Sequence, residues 1–382
     1  MQGMQWGLPQ VPAPQGQRRP VLAGFMWVFL FVMLCLPFVS NGGFAAIWIP
    51  LFCMLLAVLF MWLPFEPVGA LLGAKHAGLT PVRAVLGPLM VRSTSSGWRG
   101  RRTWASYPAL CQIALEETAV ERLRSGVPSI LLGHLIGSIA RWLAIVIGGY
   151  LVLGIGVGIV GIIVFTPLAM FCMALGWNVM LPAMNDLQAL RAGSPEGDRI
   201  LASWAVINAS AGGVRPRDWN PTWVGLLVEN PLGNAHDLLP FQQAYFYALD
   251  SGNIADAEKY LNHALSIFET DRVLWGRTYC LDSAFFAARY RHDAIEARRW
   301  LDLRNTVTLD RHSAKRISAA VLLTEGRLAE SMTAIHDGLA SAEQSFDPGI
   351  ASMDADLLRA MLAEINDANA SARVPVSSLI DA

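Results

Sequence analysis

The chain has 382 residues, of which 54% are hydrophobic and 15% charged, with a mean hydropathy of +0.40 and a formal net charge of −1. This composition is too apolar for an ordinary soluble protein of this length, whereas the nearly balanced charge decides nothing about partners. The five cysteines form no C-x-x-C pair, so neither a disulfide framework nor a cysteine-bound metal is expected.

The apolar residues are concentrated in the N-terminal half, where charged residues are absent over long intervals. No Asp, Glu, Lys or Arg occurs between Arg19 and Glu66, between Arg124 and Arg141, or between Arg141 and Asp186. About 20 apolar residues suffice to cross a bilayer. The sequence therefore predicts a flexible tail over residues 1–20 and four membrane spans near 21–39, 44–74, 127–151 and 156–180.

The loop between the second and third predicted spans is rich in arginine, which marks the cytoplasmic side of a membrane protein. The uncharged turn Ser40–Gly43 then falls on the opposite side. We expect an integral protein of a bacterial inner (cytoplasmic) membrane with both termini cytoplasmic. Within the loop, VRAVLGPLMVRS (Val82–Ser93) predicts a small cytoplasmic β-hairpin around Gly87-Pro88, with a basic amphipathic loop as the alternative.

The segment Leu63–Arg83, LPFEPVGALLGAKHAGLTPVR, joins the second predicted span to this hairpin. Its residues Glu66-Pro67-Val68-Gly69-Ala70, with the later corner Gly78-Leu79, resemble the H-E-x-G-H signature of the site-2 protease family of intramembrane zinc metalloproteases. In such a motif two histidines bind zinc and the glutamate polarises a metal-bound water. Only Gly69 matches that motif here, so the resemblance implies a relative with no zinc cofactor and no catalytic residue. A plain cytoplasmic helix end is the alternative.

Two later segments resemble the same family, and with the motif they extend the resemblance over roughly residues 44–200. LGHLIG (Leu132–Gly137) stands where the family has A-G-P-L-A-N. Glu196, in SPEGDRI, stands at the family's aspartate ligand. Each has a structural alternative: Gly133 and Gly137 have the spacing of a helix-packing face, and Ser194 with Glu196 suits an ordinary helix start.

Two polar residues interrupt the third predicted span. His134 and Arg141 are seven residues apart and therefore share one helical face. Ionisable side chains inside a membrane usually face a partner or a cavity, so we expect this intramembrane polar face to point into the helix bundle. An arginine that extends toward the membrane surface is the alternative.

The C-terminal half predicts a soluble α-helical repeat domain. After a Gly/Pro/Asn/Trp-rich linker over 208–234, three segments align with one another, at offsets of 40 and 34 residues between Ala257, Ala297 and Ser331. Each predicts two helices that meet near Gly252, His292 or Gly326. This pattern resembles tetratricopeptide-like helical hairpins over 235–366, with a capping helix over 349–366 and a polar tail over 367–382.

The fold class predicted from sequence is thus mainly α, with a polytopic membrane domain over 21–207 and a soluble helical-repeat domain. Three functions are compatible with it. The first is a non-proteolytic site-2-protease-like protein in the lipid bilayer that binds a protein partner through residues 235–366. The second is an unrelated membrane-anchored adaptor, and the third is a metalloprotease with an unorthodox site built from Glu66, His134 and Glu196. No nucleic-acid partner is expected.

Overall fold

The computed structural model describes residues 65–86, 89–94, 97–102, 111–154, 184–234, 237–271, 277–302 and 311–372. These residues are mainly helical, with one small antiparallel sheet. The chain divides into two compact units between Gly197 and Asp198, here called the N-terminal unit and the helical unit. The predicted first and fourth spans, most of the second span, and the tails over 1–20 and 373–382 lie outside the described residues.

In chain order, the N-terminal unit contains a helix, a small sheet and a second helix. Helix α1 runs from Phe65 to His76 and α2 from Val120 to Gly154, and residues 184–192 are also helical. Helix α1 ends at the predicted Gly78-Leu79 corner: Gly78 has φ +70°, and the Leu79 N–H donates to the Ala74 carbonyl. Within the described part of the chain, one segment, Val120–Arg141 of α2, is long and apolar enough to cross a membrane.

The sheet is formed by residues that lie between α1 and α2 in the sequence. It has four antiparallel strands, two more than the predicted hairpin. The two predicted strands are present and pair around residues 87–88. The strands are β1 Pro81–Leu86, β2 Leu89–Thr94, β3 Gly97–Arg102 and β4 Cys111–Leu115, and their order in the sheet is β3-β2-β1-β4. The two strands that were not predicted are β3, an edge strand with little alternation of apolar and polar residues, and β4, a short apolar strand that lies far along the chain from its partner β1.

The helical unit begins with α3, Pro195–Ala211, which crosses the unit boundary. The predicted linker over 208–234 is not a plain connection, because it contains a 3-10 turn, Pro216–Asp218, and a helix α4, Pro221–Val228. Asn220 caps α4 by accepting a hydrogen bond from the Thr222 N–H. Trp219, Val224 and Leu227 are buried beside α3, so this segment is part of the core.

Three helical hairpins and a long final helix follow. Their helices meet at the turns that the sequence alignment predicts, and the final helix extends beyond the predicted end at 366. The hairpins are α5 Leu238–Asp250 with α6 Ile254–Asp271, α7 Arg277–Tyr290 with α8 Ala294–Asp302, and α9 Arg311–Thr324 with α10 Leu328–Ala342; the final helix is α11 Pro348–Ala372.

The three hairpins share one internal register. The aligned residues Ala257, Ala297 and Ser331 are all fully buried. Successive hairpins are also joined by ion pairs at equivalent positions with the charges exchanged. Glu258 pairs with Arg291 at 2.5 Å, and Arg298, equivalent to Glu258, pairs with Glu325, equivalent to Arg291, at 2.5 Å.

The three hairpin turns also share a left-handed backbone residue: Gly252, His292 and Gly326 have φ of +75°, +53° and +76°. A non-glycine residue in this region is strained by about 1–2 kcal/mol. We therefore expect His292→Gly to keep or raise the free energy of unfolding, whereas Gly326→Ala should lower it by about 1 kcal/mol. Urea unfolding followed by circular dichroism measures both changes. A His292→Gly protein that is clearly less stable than wild type would contradict the assignment.

Candidate functional site

Helices α1 and α2 pack through four glycines, two from each helix. Gly69 and Gly73 of α1 face Gly133 and Gly137 of α2, and a methyl group added at any of the four would overlap backbone atoms of the facing helix. Small residues four apart allow this close approach, which is a common packing mode of membrane helices. The predicted packing face at Gly133 and Gly137 is thus present, and it packs against the part of α1 that contains Gly69 and Gly73.

The close crossing brings three polar side chains together among apolar residues. Glu66, which is 1% exposed, forms an ion pair with Arg141, which is 4% exposed. The Ser138 hydroxyl donates a hydrogen bond of 3.1 Å to the Glu66 Oε1 atom. Among the described residues, the Arg141 Nη1 atom is buried with no hydrogen-bond partner. We call Glu66, Ser138 and Arg141 the polar cluster.

The polar cluster contains two of the residues predicted from sequence. Ala70 is buried one turn from Glu66, and His134 is partly buried on α2, two turns before Arg141. Glu196 is exposed at the start of α3, where the Gly197 N–H donates to the Ser194 hydroxyl in the predicted capping geometry. No contact recorded for the described residues joins Glu196 to Glu66 or to His134.

The chemistry available to the polar cluster differs from that of a metal site. In the part of the chain that the structure describes, no group of three or more His, Cys, Asp or Glu residues could hold a metal ion. The Glu66 carboxylate is instead paired with the Arg141 guanidinium and accepts a hydrogen bond from the Ser138 hydroxyl. A buried ion pair of this kind has a large desolvation cost, and removing either partner leaves an uncompensated charge. The cluster can therefore hold the two helices in one register.

The side of α2 away from this crossing is apolar and exposed. Leu132, Ile136, Ile139, Leu143 and Ile147 follow helical spacing, and each is 45% exposed or more. Helix α1 adds exposed Val68 and Leu72. Contiguous exposed apolar surfaces of this kind mark contact with a membrane or with another protein.

The helical unit has its own buried charged network, which the sequence analysis did not identify. Arg316 lies between two carboxylates: its Nη2 atom is 2.9 Å from Asp282 Oδ1, and its Nε atom is 3.0 Å from Asp354 Oδ1. The guanidinium also lies 4.3 Å from the centroid of the Phe285 ring. Burial raises the pKa of Asp282, and Arg316 offsets this only in part. Burial also acts to raise the pKa of Asp354, but Arg316, His312 and Ser313 together lower it below its ordinary value.

Part of this network has the geometry of a hydrolase triad. His312 lies between Asp354 Oδ2, 2.8 Å from its Nδ1 atom, and the Ser345 hydroxyl, 2.9 Å from its Nε2 atom. Catalysis would require a substrate carbonyl to reach the serine oxygen. Ser345, His312 and Asp354 are 7%, 2% and 0% exposed, and the Ser345 hydroxyl also accepts the Asp347 N–H before α11. The serine oxygen is therefore covered in this arrangement and already accepts a backbone hydrogen bond.

The residue pattern of α11 indicates one member of this network. Asp354 lies on the same helical stripe as the buried Leu358, Met361 and Ile365, at spacings of four, three and four residues. A charged residue on an apolar stripe indicates a buried polar partner, because an unpaired charge there would be strongly destabilising. The pattern gives the burial of Asp354 but not the identity of Arg316 as its partner.

The chain matches no protein-family model, no curated protein and no solved structure. Two resemblances therefore stay predictions. One is that of roughly residues 44–200 to site-2 proteases, and the other is that of residues 235–366 to tetratricopeptide-like hairpins.

Proposed function

We propose that this protein is an integral membrane protein with a non-proteolytic, site-2-protease-like helix pair, and that its cytoplasmic helical unit binds another protein. The observation that carries the proposal is the ion pair between Glu66 and Arg141. A carboxylate that is paired with a guanidinium and hydrogen-bonded by a serine hydroxyl is a poor metal ligand, since a cation would have to displace both. The motif position that would bind zinc in a protease then serves to fasten two helices.

The outer surface of the helix pair supports a location in the membrane. The exposed apolar residues of α2 extend over Leu132–Ile147. Charged residues of both signs are exposed at the opposite end of the packed pair: Lys75, Arg122, Arg124, Glu116 and Glu121. An apolar band next to a charged end is the pattern expected of helices that leave a membrane there, and the arginine and lysine residues of this end favour the cytoplasmic side. Lipid acyl chains would cover the apolar band.

The helical unit supports a role in protein binding. Its hairpins repeat one register, and ion pairs at equivalent positions join each hairpin to the next. Hairpins stacked in series bury a continuous core between neighbours and present an extended surface, which repeat proteins use to bind partners. The membrane helices would hold that surface at the bilayer.

Chemical cross-linking of the full-length protein in its native membrane, followed by capture and mass spectrometry, tests this division of roles. Arg316→Leu should disrupt the helical unit, and Glu66→Gln should perturb only the helix pair. We expect a partner that is captured by wild type and by Glu66→Gln but lost with Arg316→Leu, because the binding surface belongs to the hairpins. A partner lost with Glu66→Gln and kept with Arg316→Leu would move the binding surface to the membrane helices.

A further inference from the structure

His312, near the start of α9, lies between two oxygen atoms, one in α11 and one just before it. Its Nδ1 atom is 2.8 Å from Asp354 Oδ2, and its Nε2 atom is 2.9 Å from Ser345 Oγ. All three side chains are buried in the helical unit. We call His312, Ser345 and Asp354 the histidine cluster. Because the cluster joins α9 to α11, the protonation state of the ring affects how firmly the final helix is held.

The Ser345 hydroxyl determines what the Nε2 atom of the ring must carry. Its oxygen accepts the Asp347 N–H at 3.0 Å, and its hydrogen is directed at the Asp347 carbonyl oxygen, 3.2 Å away. A hydroxyl has a single hydrogen to donate. With that hydrogen used, the contact between Ser345 and Nε2 requires a hydrogen on the ring nitrogen. In the neutral alternative, the hydroxyl hydrogen turns to Nε2 and leaves the Asp347 carbonyl without this donor.

The Nδ1 atom faces a carboxylate that needs hydrogen-bond donors. The Ser313 hydroxyl donates to Asp354 Oδ2 at 2.6 Å. Arg316 is ion-paired with Oδ1, but among the described residues that oxygen has no hydrogen-bond partner. Burial acts to raise the pKa of Asp354, whereas Arg316, His312 and Ser313 together lower it below its ordinary value. The ionised carboxylate favours a hydrogen on Nδ1 and a positive charge on the ring.

The elements packed against α9 contribute further charged groups. These are Asp282 of α7, paired with Arg316, Asp337 of α10, paired with Lys315, and, at the far end of α9, Arg298 of α8, paired with Glu325. Arg316 is shared between Asp282 and Asp354, so one guanidinium serves two buried carboxylates. A positive His312 supplies these carboxylates with a second buried cation.

We propose that the folded helical unit holds His312 as an imidazolium, and that the contact between α9 and α11 therefore weakens as the pH rises above neutrality. In an unfolded chain a histidine loses its proton near about pH 6.5. Between Asp354 and Ser345 the ring loses it at a higher pH. The stabilisation is then complete below about pH 6.5 and is lost as the pH rises through the value of the folded state. This protonation state is independent of the membrane location and of the partner.

The test is urea unfolding of the full-length protein in detergent, followed by helical circular dichroism at pH values from about 6 to about 9. For each unit by which folding raises the pKa of the ring, the ratio of folded to unfolded protein should fall about tenfold across this range. His312→Gln, which keeps a donor and an acceptor but carries no charge, should be less stable at the acid end and lose most of this dependence. His336→Gln, which changes an exposed histidine of α10, should keep the wild-type profile.

Two outcomes would overturn the imidazolium. A wild-type stability that does not change over this range would mean that His312 is neutral and that the Ser345 hydroxyl donates to it. The same dependence in folded His312→Gln would assign the titration to another group, such as Asp282, whose pKa burial raises. If His312→Gln does not fold, Ser345→Ala decides the question. It removes the acceptor of Nε2 but keeps Asp354, so the fall in stability should begin at a lower pH, and an unshifted profile would contradict the assignment.

Discussion

Replacing Arg316 by leucine should lower the free energy of unfolding of the helical unit by about 3–5 kcal/mol, because it leaves buried Asp282 without its counter-ion and removes the guanidinium partner of buried Asp354, which keeps His312 and Ser313. Asp282 and Asp354 both face the guanidinium, and both are buried. The loss of the contact with the Phe285 ring adds to the effect. Denaturant unfolding of the full-length protein, followed by helical circular dichroism, measures the change.

Arg359→Leu is the matched control for this substitution. Arg359 lies on α11 as Asp354 does, but its side chain is 64% exposed and, among the described residues, pairs with Asp356 three residues earlier. An exposed pair of this kind contributes less than about 1 kcal/mol. If Arg316→Leu were no more destabilising than Arg359→Leu, the network would not be a main support of the helical unit.

The second large effect is expected at the glycine crossing. Gly133→Val should destabilise the α1–α2 pair by about 3 kcal/mol or more, since its side chain would occupy the space of the Gly69 backbone and force the helices apart. The separation would also break the ion pair between Glu66 and Arg141. Thermal unfolding in detergent, together with limited proteolysis near α1, measures the loss.

Leu132→Val is the control for the crossing, because Leu132 is the adjacent residue and is 45% exposed. It introduces the same side chain on the outer face of α2, where there is space. A Gly133→Val protein with the melting temperature of Leu132→Val would show that the two helices do not depend on this close contact.

Much of the local structure follows from the sequence. The spacing of Gly133 and Gly137 predicts a packing face, Gly78-Leu79 predicts the end of α1, and Ser194 predicts the start of α3. The hairpin turns near Gly252, His292 and Gly326 follow from the internal alignment. These features depend on residues close in sequence, where helical spacing and turn chemistry determine the outcome.

Long-range pairs could not be predicted in the same way. Glu66 and Arg141 are joined because two glycines on each helix set a particular crossing, and the spacing of residues within one helix does not give its partner. The placement of Arg83, Arg92 and Arg99 opposite one another depends on strand register, which the sequence of β3 does not define. Arg316 meets Asp282 and Asp354 only after three helices pack. In such cases a charged residue among apolar residues indicates that it has a buried partner, but the sequence does not show which residue that partner is.

The zinc content of the purified full-length protein tests the central claim most directly. Because Glu66 is already paired with Arg141, and neither residue 66 nor residue 70 is a histidine, elemental analysis after purification without chelators should find far less than one zinc per chain. Adding zinc should not raise the melting temperature. One tightly bound zinc per chain, lost in Glu66→Ala or in Glu196→Ala, would contradict the account and favour a metalloprotease with an unorthodox site.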